Sequence, residues 1–346
     1  MIFGFIISFA VTFLILPIII RFASKRNIGS YRPEHSIHDS YVPTLGGVGM
    51  FVGFFAGLFA LFGLSRFIDI HFSHQFLGLT LGSFMILFEG IYDDIKGANY
   101  HKKFVSQILA SIIVIMYGYR IDFIANPFGS DLALGAFSAP LTVLWIVGIT
   151  NAINLIDGLD GLAAGIGAII SMAFAVITYS LGDFSGFVLS ILLLGVTLAF
   201  LWYNFNPAKV FMGDVGSQFI GFMVACISIN SFFSIPDSPA VFIPIIALGI
   251  PILDTILVFF RRIFLGRHPF KGDRSHIHHY LLSLNIGYRK TVFIIYAATL
   301  LLGISSYLLI KLSFFYAAPI LASVFLMTFL ALYKIGYIGS IFSREN

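Results

Sequence analysis

The chain has 346 residues, 59% of them hydrophobic and 10% charged, with a formal net charge of +4 and a mean hydropathy of +0.98. Soluble domains carry roughly 25% charged residues, and a single core stops growing near ~250–300 residues. The composition therefore excludes a soluble enzyme, a disordered chain and a disulfide-stapled secreted scaffold, since the lone Cys226 has no partner to pair with.

Eleven apolar runs are each about as long as a membrane-crossing helix: residues 2–21, 45–64, 75–92, 104–120, 137–155, 161–181, 184–203, 215–234, 240–260, 291–310 and 314–334. They are continuously apolar and do not alternate, which disfavours a β-barrel. No Lys or Arg precedes the first run and four follow it, so it is read as a retained span. With the N-terminus outside, 17 of the 20 Lys and Arg fall on the inner side, and only Arg66, Arg120 and Lys311 fall outside. The prediction is an all-α integral membrane protein with about 11 transmembrane helices, its N-terminus outside and its C-terminus cytoplasmic. Residues 1–346 form one polytopic domain whose site is built from cytoplasmic loops.

The polar residues then follow in chain order. A turn carrying His38 leads through Pro43, Gly46 and Gly47 into the second run. Glu89 lies inside the third run, one helical turn before Asp93-Asp94, which closes it; Lys96, Lys102 and Lys103 come next. Adjacent carboxylates repel, so they call for a cation or a raised pKa. Hard divalent ions prefer such oxygen ligands, and lysines suit phosphates. The segment Asn151-Ala-Ile-Asn154-Leu-Ile-Asp157-Gly-Leu-Asp160-Gly is the most specific local signal. Asn151 and Asn154 share a helix face, and the two Asp-Gly pairs break the helix into a turn. Phe211-Met-Gly213-Asp214 opens the eighth run, where Asp214 fits either an N-cap or a metal ligand. Asp254 lies inside the ninth run. The loop His268-Pro-Phe-Lys271-Gly-Asp273-Arg274-Ser-His276-Ile-His278-His279 matches no zinc spacing and reads as an anion-binding loop. Asp69, His71, His74, Asp122, Asp131, Asp183 and Asp237 scatter through outer loops and read as solvated. A transporter is the rival from another class. It predicts carboxylates near the bilayer midplane and matching broken helices in two halves; here the acids crowd one face.

At these motifs the sequence resembles the polyprenyl-phosphate N-acetylhexosamine-1-phosphate transferases, over nearly the whole chain and with the motifs in family order. The His276-Ile-His278-His279 form is similar to the N-acetylglucosamine branch, as is the His38 turn, although Ser36-Ile37 stands before His38 where that family often has a basic residue. The resemblance implies that undecaprenyl phosphate attacks the β-phosphorus of a UDP-N-acetylhexosamine, with UDP-N-acetylglucosamine the leading donor and UDP-N-acetylgalactosamine and other N-acetylated sugars the alternatives. UMP leaves, and a lipid-linked diphospho-sugar starts a cell-surface polysaccharide or teichoic acid. It implies Mg²⁺, or Mn²⁺, held by Asp214 and Asn154. Asp93, Asp94 and Asp157 would be the catalytic carboxylates. Lys103, Asn151, Asp160, Phe211, Arg274, His276, His278, His279 and His38 would bind substrate, Lys103 at the diphosphate and Phe211 on the uracil. It further implies a bacterial cytoplasmic membrane, membrane lipid as a partner, no nucleic acid, and a homodimer as a plausible assembly. Direct attack is favoured over a covalent aspartyl intermediate, and which Asp, if any, acts as base stays open.

Overall fold

The computed structural model describes residues 2–31, 41–64, 74–124, 131–233, 239–266, 276–311, 319 and 323. Among them the helices are α1 (Ile2–Lys25), α2 (Gly46–Leu64), α3 (Gln75–Lys96), α4 (Tyr100–Met116), α5 (Ser138–Ile156), α6 (Leu162–Leu181), α7 (Phe184–Asn204), α8 (Gly213–Ser231), α9 (Phe242–Ala247), α10 (Gly249–Phe264), α11 (Ile277–Ser283) and α12 (Tyr288–Leu308). Two short antiparallel ribbons qualify the all-helical expectation: β1 (Gly29–Tyr31) with β2 (Tyr41–Pro43), and β3 (Phe123–Ile124) with β4 (Leu132–Ala133).

Among the described residues, seven helices are long and apolar enough to cross a membrane: α1, α2, α3, α5 with the 3₁₀ turn before it, α6, α7 and α12. The protein is a multi-pass integral membrane protein. Of the eleven expected runs, three are helical but do not meet that standard, and 314–334 lies outside the described residues apart from two positions. The run at 104–120 begins earlier and ends sooner, as the 17-residue α4. The run at 215–234 is α8, which carries Asp214, Ser217, Gln218 and Asn230 because it stands inside the bundle rather than against lipid. Its residues from Val215 to Ile229 are buried. The run at 240–260 is two helices. Pro251 has no N–H to give and its ring crowds the carbonyl of Ala247, where α9 stops; Gly249 then restarts the chain as α10.

Helices in lipid gain no hydrophobic advantage from meeting each other, so they associate through close packing and hydrogen bonds. Gly49, Gly53 and Gly57 line one face of α2 against α1. A Cβ on Gly53 would lie 1.9 Å from Thr12 Oγ1, so only glycine permits this approach. Trp145 Nε1 on α5 donates to Ser228 Oγ on α8 at 2.8 Å. Phe51 and Phe55 pack on Phe219 of α8 with ring centroids 5.4 and 6.5 Å away, and Phe84 packs on both of them at 5.0 and 6.1 Å. α8 is therefore buried among its neighbours, with Asp214 in its first turn.

Candidate active site

Asp93, Asp94 and Asp214 come together at the ends of α3 and α8, with one carboxylate oxygen of each within 4.8 Å of the others. Asp93 and Asp94 reach the cluster because they close α3. Asp214 reaches it because Gly213 turns the chain with a φ of +70°, and a Cβ there would lie 2.2 Å from Asp94 Oδ2. That backbone and that clearance both require glycine. Lys103, in the first turn of α4, supplies the offsetting charge. Its Nζ donates to Asp93 Oδ2 at 2.9 Å and to Asp214 Oδ2 at 2.5 Å. Asp94 Oδ1 accepts from the Asp214 N–H at 2.9 Å, while its Oδ2 is buried with no hydrogen-bond partner among the described residues.

Gln107 and Gln218, which sequence reasoning missed, join Glu89, Asn151 and Asn154 in a polar chain that backs the cluster from inside the bundle. Gln218 Nε2 donates to Asp214 Oδ2 at 3.1 Å and to Glu89 Oε2 at 2.9 Å. Gln107 Nε2 donates to Gln218 Oε1 at 2.8 Å, and Asn151 Nδ2 donates to Gln107 Oε1 at 2.6 Å. Asn154 Nδ2 faces Asp214 Oδ2 at 3.4 Å, and its Oδ1 accepts from Ser217 Oγ at 2.8 Å. A signal was available: Gln107 and Gln218 stand four residues after Lys103 and Asp214, hence on the same helix faces. Glu89 thus reaches Asp214 through Gln218.

The Asp-Gly turn after α5 lies alongside. Burial first, and then the charges of Asp214, Asp94 and Asp160, push the Asp157 carboxyl up to about 7. Asp157 thus shares the field of the cluster. Asp160 also holds the neighbouring chain. Its Oδ2 accepts from Asn206 Nδ2 at 3.2 Å and from the Ala208 N–H at 3.0 Å, and its own N–H donates to the Tyr288 hydroxyl. Asn204 continues the scaffold, accepting from the Gly161 N–H at 2.9 Å and donating to the Val210 carbonyl at 2.8 Å. Phe211 is half-buried, its backbone fixed between Pro43 and Gly46 by bonds of 2.8 and 3.1 Å.

The described part of the histidine motif opens α11. His276 and His278 are buried, with rings stacked at 5.8 Å, and His279 lies 4.3 Å from His278. Both nitrogens of His278 lack a hydrogen-bond partner among the described residues, and Nε2 packs on Gly158. Burial, reinforced by His279, lowers the His278 pKa to about 3, so the ring is neutral near pH 7. His38 and Arg274 lie outside the described residues. Among the outer-loop acids, Asp183 is more than a solvated residue: it caps α7, accepting from the Gly186 N–H at 3.1 Å.

The fold and the cluster define a class: a multi-pass membrane protein with a carboxylate and lysine site at its helix ends, suited to handling phosphate groups beside a divalent ion. The model of glycosyl transferase family 4 matches residues 76–232, which contain the cluster, the Asp-Gly turn and Phe211. The chain is 39% identical to the probable undecaprenyl-phosphate N-acetylglucosaminyl 1-phosphate transferase of Bacillus subtilis (strain 168), over 88% of this chain and 84% of that one. It is 33% identical to the decaprenyl-phosphate N-acetylglucosaminephosphotransferase of Mycobacterium tuberculosis (strain ATCC 25618 / H37Rv), over 79% and 74%. With the phospho-N-acetylmuramoyl-pentapeptide-transferase of Clostridium botulinum (strain Eklund 17B / Type B) it shares 30% over 88% and 94%. The chain belongs to glycosyl transferase family 4 and is a membrane transferase.

Proposed function

We propose that the protein transfers N-acetylglucosamine 1-phosphate from UDP-N-acetylglucosamine to undecaprenyl phosphate. An oxygen of the lipid phosphate bonds to the β-phosphorus of the donor. The bond from that phosphorus to the bridging oxygen breaks, and UMP leaves with that oxygen. The observation that carries the reading is the meeting of Asp93, Asp94, Asp214 and Lys103 at one point in a family 4 chain. The likeness to the B. subtilis relative, over most of both chains, supports the choice of sugar and lipid.

Two anions must approach each other, so the main obstacle is their repulsion. Lys103 is placed to lie against the diphosphate while remaining tied to the carboxylates. The buried, unpartnered Asp94 Oδ2 and the all-oxygen donor set fit a hard divalent cation, Mg²⁺ or Mn²⁺. Asp214, with Asp93 or Asp94, would hold it. Asn154 joins if its amide turns over to present Oδ1, since nitrogen and oxygen exchange places by a half rotation. When bound, such an ion supplies charge neutralisation and polarises phosphoryl oxygens. The chain itself contributes positioning, which accounts for most of the remaining acceleration in phosphoryl transfer. A phosphate monoester is already largely ionised near pH 7, so direct attack needs no strong base. Phe211, His38, Arg274, His276 and His279 are assigned to the nucleotide sugar, with His278, neutral and packed on Gly158, setting the spacing between the histidine motif and Asp157.

The lipid tail is assigned to an apolar groove. The groove, of about 540 Å³, runs between Trp145, Ile149 and Ala152 on α5, Phe242 on α9, and Ile252 and Ile256 on α10. The lysine and arginine distribution supports eleven crossings with the site on the cytoplasmic side of a bacterial membrane, where UDP-sugars are available. The test offers UDP-N-acetylglucosamine, UDP-N-acetylgalactosamine and UDP-N-acetylmuramoyl-pentapeptide separately to purified protein with undecaprenyl phosphate and Mg²⁺. UMP release from the first alone, lost in EDTA, is the expected result; release from another donor would replace the proposed sugar.

A further inference from the structure

Asp254 is the sole carboxylate on α10, and it is 3% exposed. An ionisable group in a span is costly unless the structure uses it. Both of its oxygens are used. Oδ2 lies 2.8 Å from His276 Nδ1, and Oδ1 accepts from the Ile277 N–H at 2.8 Å. His276 is the N-cap residue of α11, but its own side chain does not cap the helix. A carboxylate from another helix does so instead, and seizes the imidazole with its second oxygen.

This pairing dictates the chemistry of the ring. A carboxylate only accepts, so Nδ1 must carry the proton, whatever the charge of the ring. Nε2 is then the nitrogen left for a ligand. The rest of the motif follows the ring. His278 stacks on His276 at an interplanar angle of 8°, and its Nε2 would lie 2.2 Å from a Cβ on Gly158, next to Asp157. The flanking residues Ile252, Thr255 and Ile256 line the apolar groove. One helix therefore presents its apolar face to the groove and its carboxylate to the histidine motif.

We propose that Asp254 is a positioning residue: it fixes the tautomer and orientation of His276, and through α11 it sets the histidine motif against the Asp157-Gly158 turn. The role in catalysis rests on the transferase reading; the tautomer does not. Asp254→Asn keeps the size and the acceptor for the Ile277 N–H but turns an NH₂ toward Nδ1, favouring a proton on Nε2.

The experiment is ¹⁵N NMR of imidazole-labelled full-length protein in detergent, with the His276 signal assigned by its loss in His276→Gln. Wild type should show a protonated Nδ1, and Asp254→Asn should shift the ring to Nε2–H. Wild-type His276 with an unprotonated Nδ1 overturns the proposal without recourse to any variant. Turnover of folded Asp254→Asn should fall about 10–100-fold, as when the orienting partner of a functional histidine is lost, with Asp254→Glu recovering part of it. A switched tautomer with unchanged kcat and KM would also overturn the positioning role. If wild type released no UMP from any UDP-sugar, the transferase reading would fall, while the NMR result would still decide whether Asp254 sets the ring.

Discussion

The carboxylate cluster at the ends of α3 and α8 and the Asp-Gly turn after α5 are close neighbours with similar composition, yet their bonding differs. Asp160 gives its Oδ2 to two donors on the 206–208 loop and its N–H to Tyr288. In the cluster, Asp94 Oδ2 has no partner among the described residues, and Glu89 Oε1 behind it has none either. A buried oxygen left without a donor is expensive. The molecule satisfies the carboxylate that holds a loop and leaves one oxygen without a donor in the proposed active site. Hydrogen-bond satisfaction, more than residue type, separates scaffold from site here.

The comparison breaks first at Asp214. Asp214→Ala should abolish UMP release while the protein stays folded and in the membrane; near-normal turnover would remove Asp214 as a metal ligand. Asp94→Asn should follow, with a loss of about 10²–10³-fold, the scale of one lost electrostatic group at a reacting centre. Its melting temperature should hold or rise, because a carboxylate crowded by Asp93 and Asp214 has become neutral. Lys103→Met should raise the KM for the UDP-sugar and, by leaving Asp93 and Asp214 without their cation, lower the melting temperature unless divalent ion is added. Asp160→Ala should do the reverse of Asp94→Asn: stability falls by about 1–3 kcal/mol, the cost of stranding the Asn206 and Ala208 donors, and turnover changes less. Equal kinetic losses in the Asp94 and Asp160 variants would erase the distinction between the two regions.

At neutral pH the smallest effect belongs to His278. Its folded pKa, about 3, lies below the ordinary 6.5. Between those values the unfolded chain binds a proton that the folded chain refuses, so falling pH destabilises the fold. Wild-type stability relative to His278→Gln should therefore drop as pH falls from about 6.5 toward 3. A flat difference across that window would mean that the ring finds a partner when protonated.

Much of this site was legible because polar residues are scarce in so apolar a chain. Asp93-Asp94, Asn154 and Asp214 stood out against runs of Leu, Ile and Phe, and Lys103 lay four residues before a second polar group. The supporting chain was not legible. Gln107 and Gln218 look like ordinary interruptions until α3 and α5, packed on both α4 and α8, bring the two side chains together, and Asn204 and Tyr288 bind a turn more than 40 residues away in sequence. The break between α9 and α10 was hidden for a different reason. Hydropathy averages across Gly249-Ile-Pro251 as if the backbone continued, although Pro251 forbids it. Asp254, read as a lone acid in a span, acquires its partner only when α11 folds back onto α10.

The central claim is that Asp93, Asp94, Asp214 and Lys103 govern transfer of a phosphoryl group to a lipid. The most direct test follows the phosphorus. Purified protein, Mg²⁺, undecaprenyl phosphate and UDP-N-acetylglucosamine labelled with ³²P at the β position should yield label in the organic phase, equal in amount to the UMP formed. Both should vanish in EDTA and in Asp214→Ala. Label that stays in water while UMP appears would show hydrolysis rather than transfer to lipid, and would contradict the account.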